Sequence, residues 1–367
     1  MGAHSNPDIV DDNIVFMYDT DDLKSYKGEP TTNYGPASFG DWVTEGTSER
    51  IATGNTYKGQ PTYNCRTQVG SVWVAINKSI SGLRTAAGSS GTVTMSCMIR
   101  NNNPTAYNIS AYIGHDFSGN ISIAANSDWQ KAQWTVNQSS MDNDYVEFRP
   151  YTNNASIWLE MTMPMVEVNK GHATQFIDGT RSATQGLIDR TGTTTITLSD
   201  VSFDSNAQIT FDGTDDTINT GLFSGRSPFT DPFTIEAVVK SSTTSGNRMW
   251  IDATSNGSNQ RLYCAHAATG TSNPMGIQSS AWSSSVPHDT DYHHYVIVMD
   301  GAVARFYNNG AAHSTKNYTP YEIQALNIGG RNTYRWLGEI PIFKLYGRSL
   351  SDAEILQNYN ATKGRFQ

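Results

Sequence analysis

The sequence predicts an all-β protein made of two sandwich domains, and three observations predict it. Charged residues are only 16% of the 367 and hydrophobic ones 37%, with 31 glycines, a mixture suited to short strands joined by polar turns. Apolar and polar residues alternate at period two in segment after segment, as half-buried strands require. The length suits about two domains of ~100–200 residues, and no internal repeat, heptad seam or low-complexity tract appears.

In chain order, Ile14–Tyr18 reads as an opening strand, followed by the polar stretch Asp19–Lys27. In Val93-Thr94-Met95-Ser96-Cys97-Met98-Ile99 every odd position is apolar, and Ile157–Met163 gives a similar reading. Phe233–Lys240 alternates until its end, and Tyr295–Met299, Val303–Tyr307 and Ile340–Tyr346 are further strands. After Val303–Tyr307, Asn308-Asn309-Gly310 supplies residues that tolerate positive φ, which marks a tight hairpin. Ser351 with Glu354 three residues on forms a capping box, and Leu350 can staple against Ile355. One short helix is therefore expected from Ser351 to about Tyr359, with the chain fraying after Thr362.

Net charge of -9 and a pI near 5.3 argue against a nucleic-acid partner, which would need clustered Lys and Arg. Cys65, Cys97 and Cys264 are far apart and form no metal-spaced pair, so they read as buried thiols. The polar start, Met1 to Pro7, has no apolar core segment, and no run of about 18 apolar residues occurs anywhere. No membrane insertion is expected, and the product reads as soluble and made in a cytoplasm. Residues 1–12 read either as an arm that docks on a neighbouring subunit or as an ordinary loose terminus.

A set of stretches in a fixed order carries a resemblance. They are Ile209–Ile218 with its Asp212-Gly213-Thr214-Asp215-Asp216 turn, Phe233–Ala237, Tyr292-His293-His294-Tyr295-Val296 with Asp300-Gly301, Leu326–Gly330, Trp336–Ile340, and Leu345–Ile355. Together they resemble LamG-like (concanavalin A-like) jelly rolls, particularly those of tailed bacteriophages, and Asn13–Lys27 looks like the first strand of the same domain. Between them, Asn33 and Trp42, the run Asp128–Val136, and Met165–Glu167 with Ala173–Ile177 resemble the β-sandwiches of carbohydrate-binding modules. The resemblance implies residues 1–28 as the opening of the jelly roll, 29–179 as an inserted sandwich and 180–367 as the remainder. Because the opening strand must rejoin its sandwich, the two ends of the insert should lie close together.

Asp212, Asp215 and Asp216, with Asp19, Asp21 and Asp22 beside them if the opening strand pairs near the Phe211 strand, could bind Ca²⁺, which prefers oxygen ligands. Asp-Gly-Thr-Asp-Asp is also what a tight turn requires. No cofactor is expected other than such a calcium ion. His293 and His294 are neighbours in a strand and should point to opposite faces, which makes them structural. A glycoside hydrolase on this fold needs two carboxylates about 5–9 Å apart; Glu236 and Glu339 are isolated, so no enzyme is expected. Trp134, Trp158 and Trp336 read as core. Trp282 in its polar run, Trp42 after Gly40-Asp41, and Tyr334 beside Arg331 and Arg335 are the candidates for glycan or partner contact, because exposed aromatic rings stack on sugars and anchor interfaces.

What the resemblance implies is a non-enzymatic bacteriophage virion structural protein. It would decorate the capsid or serve as an accessory protein, oligomeric in the assembly and displaying lectin-like domains outward. Other virion proteins would be its partners, and host-surface polysaccharide a further one. The alternative is a tail-fibre or adhesin subunit that binds host glycans; a polysaccharide-cleaving enzyme ranks last.

Overall fold

The computed structural model describes residues 9–67, 75–152, 156–204, 208–222, 232–246, 248–254, 261–266, 276–277, 281–282, 289–318, 325–331 and 334–366. The chain forms two compact units, one of Met1–Glu29 with Ser182–Gln367 and the other of Pro30–Arg181.

In the split unit, one sheet runs Ser202–Phe203, Ile209–Asp212, Leu337–Tyr346, Phe233–Ser241, Tyr292–Asp300, Val303–Asn308 and Ala311–Asn317. The opening strand, Ile14–Asp19, also pairs with Leu337–Tyr346, with Asp19 opposite Ile342. Phe233–Ser241 occupies one edge of that ten-residue strand, so the opening strand shares the other edge with Ile209–Asp212, whose Thr210 faces Glu339. The two short strands therefore lie end to end. Asp19 stands opposite Ile342 and Asp212 opposite Leu337, so the condition under which Asp19 and Asp21 would join the Asp212 turn is not met. Arg365 holds them instead, with Nη1 and Nη2 each 2.7 Å from an Asp19 carboxylate oxygen and Nε 2.9 Å from Asp21. The end of the chain is thus pinned in a 3-10 turn, Lys363–Arg365, rather than frayed.

A second sheet runs Thr197–Ser199, Thr217–Asn219, Ala325–Ile328, Arg248–Thr254, Arg261–His266, Gly276–Ile277 and Ala281–Trp282. Phe16, Ile235, Tyr295, Phe306 and Phe343 from the first sheet meet Ile218, Trp250 and Ile328 from the second in one core. The far face of the first sheet is covered too. Val296, Val298, Tyr307 and Tyr346 pack with Val10, Leu350 and Ile355, the last from the helix Asp352–Thr362, whose Ser351–Glu354 capping box is formed. A sheet buried on both faces has no solvent side, which is why Thr234, Glu236 and Val238 are all buried.

Glu236 is the hub of the polar groups in that cover, while His294 Nδ1 has no hydrogen-bond partner among the described residues. Lys344 Nζ donates to Glu236 Oε1 at 2.6 Å, Asn358 Nδ2 donates to Glu236 Oε2 at 2.6 Å, and His294 Nε2 lies 3.1 Å from Oε1. Val10 N donates to Asn358 Oδ1, and Tyr346 Oη donates back to Val10 O. Burial alone would raise Glu236, but Lys344 and His294 outweigh it and hold the carboxyl down to about 2. His293 points the other way, stacking on Tyr295 at 5.2 Å with Asp289 at its Nε2, as strand alternation demands. Asn309 and Gly310 take φ of 50° and 77° in the hairpin between Val303–Asn308 and Ala311–Asn317.

The unit Pro30–Arg181 has two sets of strands. One set is Ser127–Asn137, Thr92–Asn101, Leu159–Val168, Gln60–Thr67 and Ser48–Tyr57; the other is Val43–Glu45, Ala75–Ser79, Tyr145–Tyr151, Tyr107–Ile113 and Asp116–Ile123. Among the described residues they join where Tyr151 pairs with Thr67 in parallel. Met95, Cys97, Ile99 and Trp134 of the first set pack against Ile76, Ile109, Ala111 and Phe148 of the second. Thr31–Thr32 pairs with Thr180–Arg181 where the chain enters and leaves this unit.

Candidate functional site

The strands of the second set alternate cleanly. In Tyr107–Ile113 the residues Ile109, Ala111 and Ile113 enter the core, which turns Asn108, Ser110 and Tyr112 to the opposite face. In Tyr145–Tyr151 the core residues are Val146 and Phe148, leaving Glu147, Arg149 and Tyr151 outward. Register lines these up in rungs: Glu147 stands opposite Tyr112, Arg149 opposite Ser110 and Tyr151 opposite Asn108, while Ser110 faces Asn120 and Tyr112 faces Phe117 on the next strand. Phe117 and Asn120 are three residues apart, so strict alternation would separate them. The register shift between Ser110 and Tyr112, with Gly119 at φ 99°, inserts the extra residue that brings both to one side. Trp134 Nε1 fixes that bulge by donating to Gly119 O at 3.0 Å.

The outcome is an open groove of about 660 Å³ lined chiefly by Asn108, Tyr112, Phe117, Asn120 and Tyr151. Phe117 is 50% exposed, and its ring meets that of Tyr112 at 5.3 Å and 51°. Arg149 Cζ lies 3.8 Å from the Tyr112 centroid, and its Nε donates to Glu147 Oε2 at 2.9 Å. Burial alone would lower Arg149; the Glu147 partner outweighs it, so the guanidinium stays charged. Burial and then Tyr151 push the Tyr112 phenol up, keeping it a neutral donor. Two buried polar atoms at this face, Ser110 Oγ and Asn77 Nδ2, have no partner among the described residues, and Asn77 stands directly opposite Glu147. The face therefore combines aromatic rings, amides and hydroxyls with an ion pair closed on itself. Ring faces accept the C–H surface of a sugar, amides and hydroxyls pair with its hydroxyl groups, and the balanced charge suits a neutral molecule. The only carboxylate among the groove's inner rungs is Glu147, and it is held by Arg149.

The residues singled out from sequence fare differently. Trp42 is corrected from a surface candidate to a core residue. It is 2% exposed, packs on Phe39 and Phe148 at 5.8 and 5.2 Å, and its Nε1 donates to Pro36 O. The short 3-10 turn Phe39–Asp41 folds it inward, which its polar sequence neighbours conceal. Tyr334 is 39% exposed in a two-residue strand with Arg335, opposite Gly330–Arg331. Arg335 Nη1 is spent on Gly330 O. The side chains of Trp282 and Arg331, like that of Cys264, lie outside the described residues.

Asp212, Asp215 and Asp216 do converge, with one oxygen of each within 4.8 Å of the others. The turn uses part of that set: Asp216 Oδ2 accepts Asp212 N–H at 2.6 Å, and Asp212 Oδ1 accepts Thr214 N–H at 2.7 Å, around Gly213 at φ 81°. Burial, opposed by the Asp212 N–H and assisted by the two neighbouring carboxylates, pushes Asp216 up to about 7. Glu339, the isolated strand carboxylate, is bound by Tyr292 Oη and by Lys240 Nζ.

These features define an all-β protein with a concanavalin A-like sandwich and one short C-terminal helix. Residues 212–356 match the family model Laminin_G_3, described as the concanavalin A-like lectin/glucanases superfamily. Among solved structures, the chain is similar to domain 4 of AbnA, a GH43 extracellular arabinanase from Geobacillus stearothermophilus in complex with arabinotriose. That match has 14% identity and a TM-score of 0.38, over 48% of this chain and 93% of that one. The CBM40 of the Ruminococcus gnavus IT-sialidase matches at 14% identity and a TM-score of 0.29, over 35% of this chain and 82% of that one. The Trypanosoma rangeli sialidase with the inhibitor DANA matches at 11% identity and a TM-score of 0.39, over 83% and 61%. No curated protein matches the chain. No helix among the described residues is long and apolar enough to cross a membrane.

Proposed function

We propose that this protein is a non-enzymatic glycan-binding display protein, a structural component of a bacteriophage virion that turns its lectin-like sandwiches outward. The observation that carries the glycan part is the outer face of the Tyr145–Tyr151 sheet, where Tyr112, Phe117 and Tyr151 line one groove with Asn108 and Asn120. Its ligand is a neutral polysaccharide of the host surface, stacked on the rings and hydrogen-bonded by the amides. A binding role rather than a catalytic one is supported at this face by the pairing of its carboxylate, Glu147, with Arg149. The virion part rests on the order of jelly-roll motifs from Asp212 to Ile355, and the partners there are other virion proteins.

Two measurements test this. Calorimetric titration with neutral oligosaccharides chosen by glycan array should show binding that Tyr112→Ala weakens roughly tenfold at unchanged fold, the loss expected for one stacked ring. No binding by the wild type, or equal binding by the variant, removes the glycan reading. Mass spectrometry of purified particles should find the chain; particles that lack it remove the virion reading.

A further inference from the structure

We propose that the unit Pro30–Arg181 carries a second binding site, independent of the Tyr112 face, that takes the carboxylate-bearing sugar of an acidic glycan between Lys58 and Lys131. It lies against the other strand set. The hairpin joining Ser48–Tyr57 to Gln60–Thr67 turns at Lys58 and Gly59, at φ 48° and 81°, and brings Tyr57 and Lys58 over the strands Thr92–Asn101 and Ser127–Asn137. The returning segment that contains Thr174, Gln175 and Phe176 closes the opposite side, leaving a cavity of about 370 Å³.

The lining has two characters. Met98, Met163 and Met165 with Tyr57 and Phe176 form an apolar wall, and methionines adapt their shape to a ligand. The rest is cationic. Lys131 Nζ donates to Ala173 O at 3.0 Å and Thr174 O at 3.3 Å, which uses two of its three N–H groups and leaves one for a ligand. Glu167, fully buried and accepting from Thr31 Oγ1, Thr174 Oγ1 and Thr174 N, offsets part of the Lys131 charge but takes none of its N–H groups, which leaves the third free to meet a ligand. Arg100 is likewise occupied, paired with Glu160 at 2.6 Å beneath the Trp129 ring that stacks on Tyr57 at 4.6 Å. Burial lowers Lys131, Glu167 raises it and Lys58 lowers it again; the two ammonium groups repel across the cavity, and an anion between them relieves that repulsion. Two cations beside an apolar wall, with Ser96 and Gln175 as uncharged hydrogen-bonding groups, match a small ring that has one carboxylate, an apolar face and hydroxyls.

The test titrates the intact protein with a glucuronate-containing oligosaccharide, its glucose counterpart and a glutamate-rich peptide, following heat and intrinsic tryptophan fluorescence. The glucuronate sugar should bind, more weakly in 0.5 M salt (about 4 Å screening length), while the glucose sugar and the peptide should not compete for the site. Lys131→Met should cost about tenfold or more in affinity, the scale of a charge-assisted hydrogen bond, and Tyr112→Ala should leave it unchanged. Should Lys131→Met fold poorly, Lys58→Ala at the exposed hairpin tip provides the same comparison. Equal affinity for the glucuronate and glucose sugars, peptide binding as tight as the sugar's, or unaltered binding by a folded lysine variant overturns the proposal.

Discussion

In the split unit, the face of Phe233–Ser241 turned away from the core carries Thr234 and Glu236, and Lys344 and His294 stand on neighbouring strands. In the unit Pro30–Arg181, the corresponding face of Tyr145–Tyr151 carries Glu147, Arg149 and Tyr151. Both rows mix charges with aromatic side chains. The first is roofed by the helix Asp352–Thr362, and every oxygen of Glu236 has a partner within the protein. Among the described residues no helix covers the second: Phe117 is half exposed, and Ser110 Oγ and Asn77 Nδ2 have no partner there. In the split unit the helix Asp352–Thr362 takes up the outer face of the sheet, whereas the short helix of the other unit, Leu83–Ala87, packs into the core and leaves the Tyr112 face open to a ligand. That difference separates frame from binding surface more clearly than fold does, since both units are sandwiches.

The largest way to break the contrast is to remove one partner from the roofed network. Lys344→Met leaves Glu236 charged, buried and without its cation, and should destabilise the split unit by about 3–5 kcal/mol, read as the loss of one transition in a thermal melt. Retention of that transition within about 1 kcal/mol would mean the roof admits water and the two faces do not differ as described.

A second prediction uses two buried carboxylates of the split unit whose shifts have opposite signs. Glu236 is held down to about 2 from an ordinary 4.5, so its contribution to stability is complete above 4.5 and is lost as pH falls through about 2. Asp216 is pushed up to about 7 from 3.8. The folded state then holds the proton more tightly than the unfolded one, so its contribution is complete below 3.8 and is lost as pH rises towards 7. Between pH 5 and 7 only the Asp216 effect is in play, and the melting temperature of the wild type should fall more steeply than that of Asp216→Asn. Parallel curves would show that the Asp212 turn is solvated.

Much of this frame was legible in the sequence because it rests on local rules. Period-two alternation located Thr92–Asn101 and Phe233–Ser241, Asn309-Gly310 marked a hairpin, Ser351 with Glu354 marked the helix start, and adjacency put His293 and His294 on opposite faces. What was not legible depends on partners distant in sequence. Trp42 looks exposed beside Gly40 and Asp41, yet Phe148 from a strand far along the chain buries it. The C-terminus looks free, yet Arg365 finds Asp19 and Asp21 at the other end. The groove was missed for a similar reason. Tyr112, Arg149 and Tyr151 occupy outward positions of alternating strands, which is a readable signal, but the bulge at Gly119 that adds Phe117 and Asn120 shows only in the strand register.

The smallest effect sharpens the comparison most. Ser110 is fully buried, and its Oγ has no partner among the described residues, so its hydroxyl already bears the cost of leaving water without a compensating hydrogen bond. Deleting it should therefore cost almost nothing, and Ser110→Ala should alter stability by less than about 1 kcal/mol, with stabilisation the expected sign. Because that hydroxyl is buried and does not line the groove, the same change should leave glycan binding unaltered, in contrast to Tyr112→Ala. A polar substitution that is silent in the melt is the opposite of Lys344→Met, because the roofed face carries a network on which the fold depends and the open face does not. Were Ser110→Ala to destabilise the unit substantially, the hydroxyl would have a partner inside the protein, and the open face would be as self-contained as the roofed one.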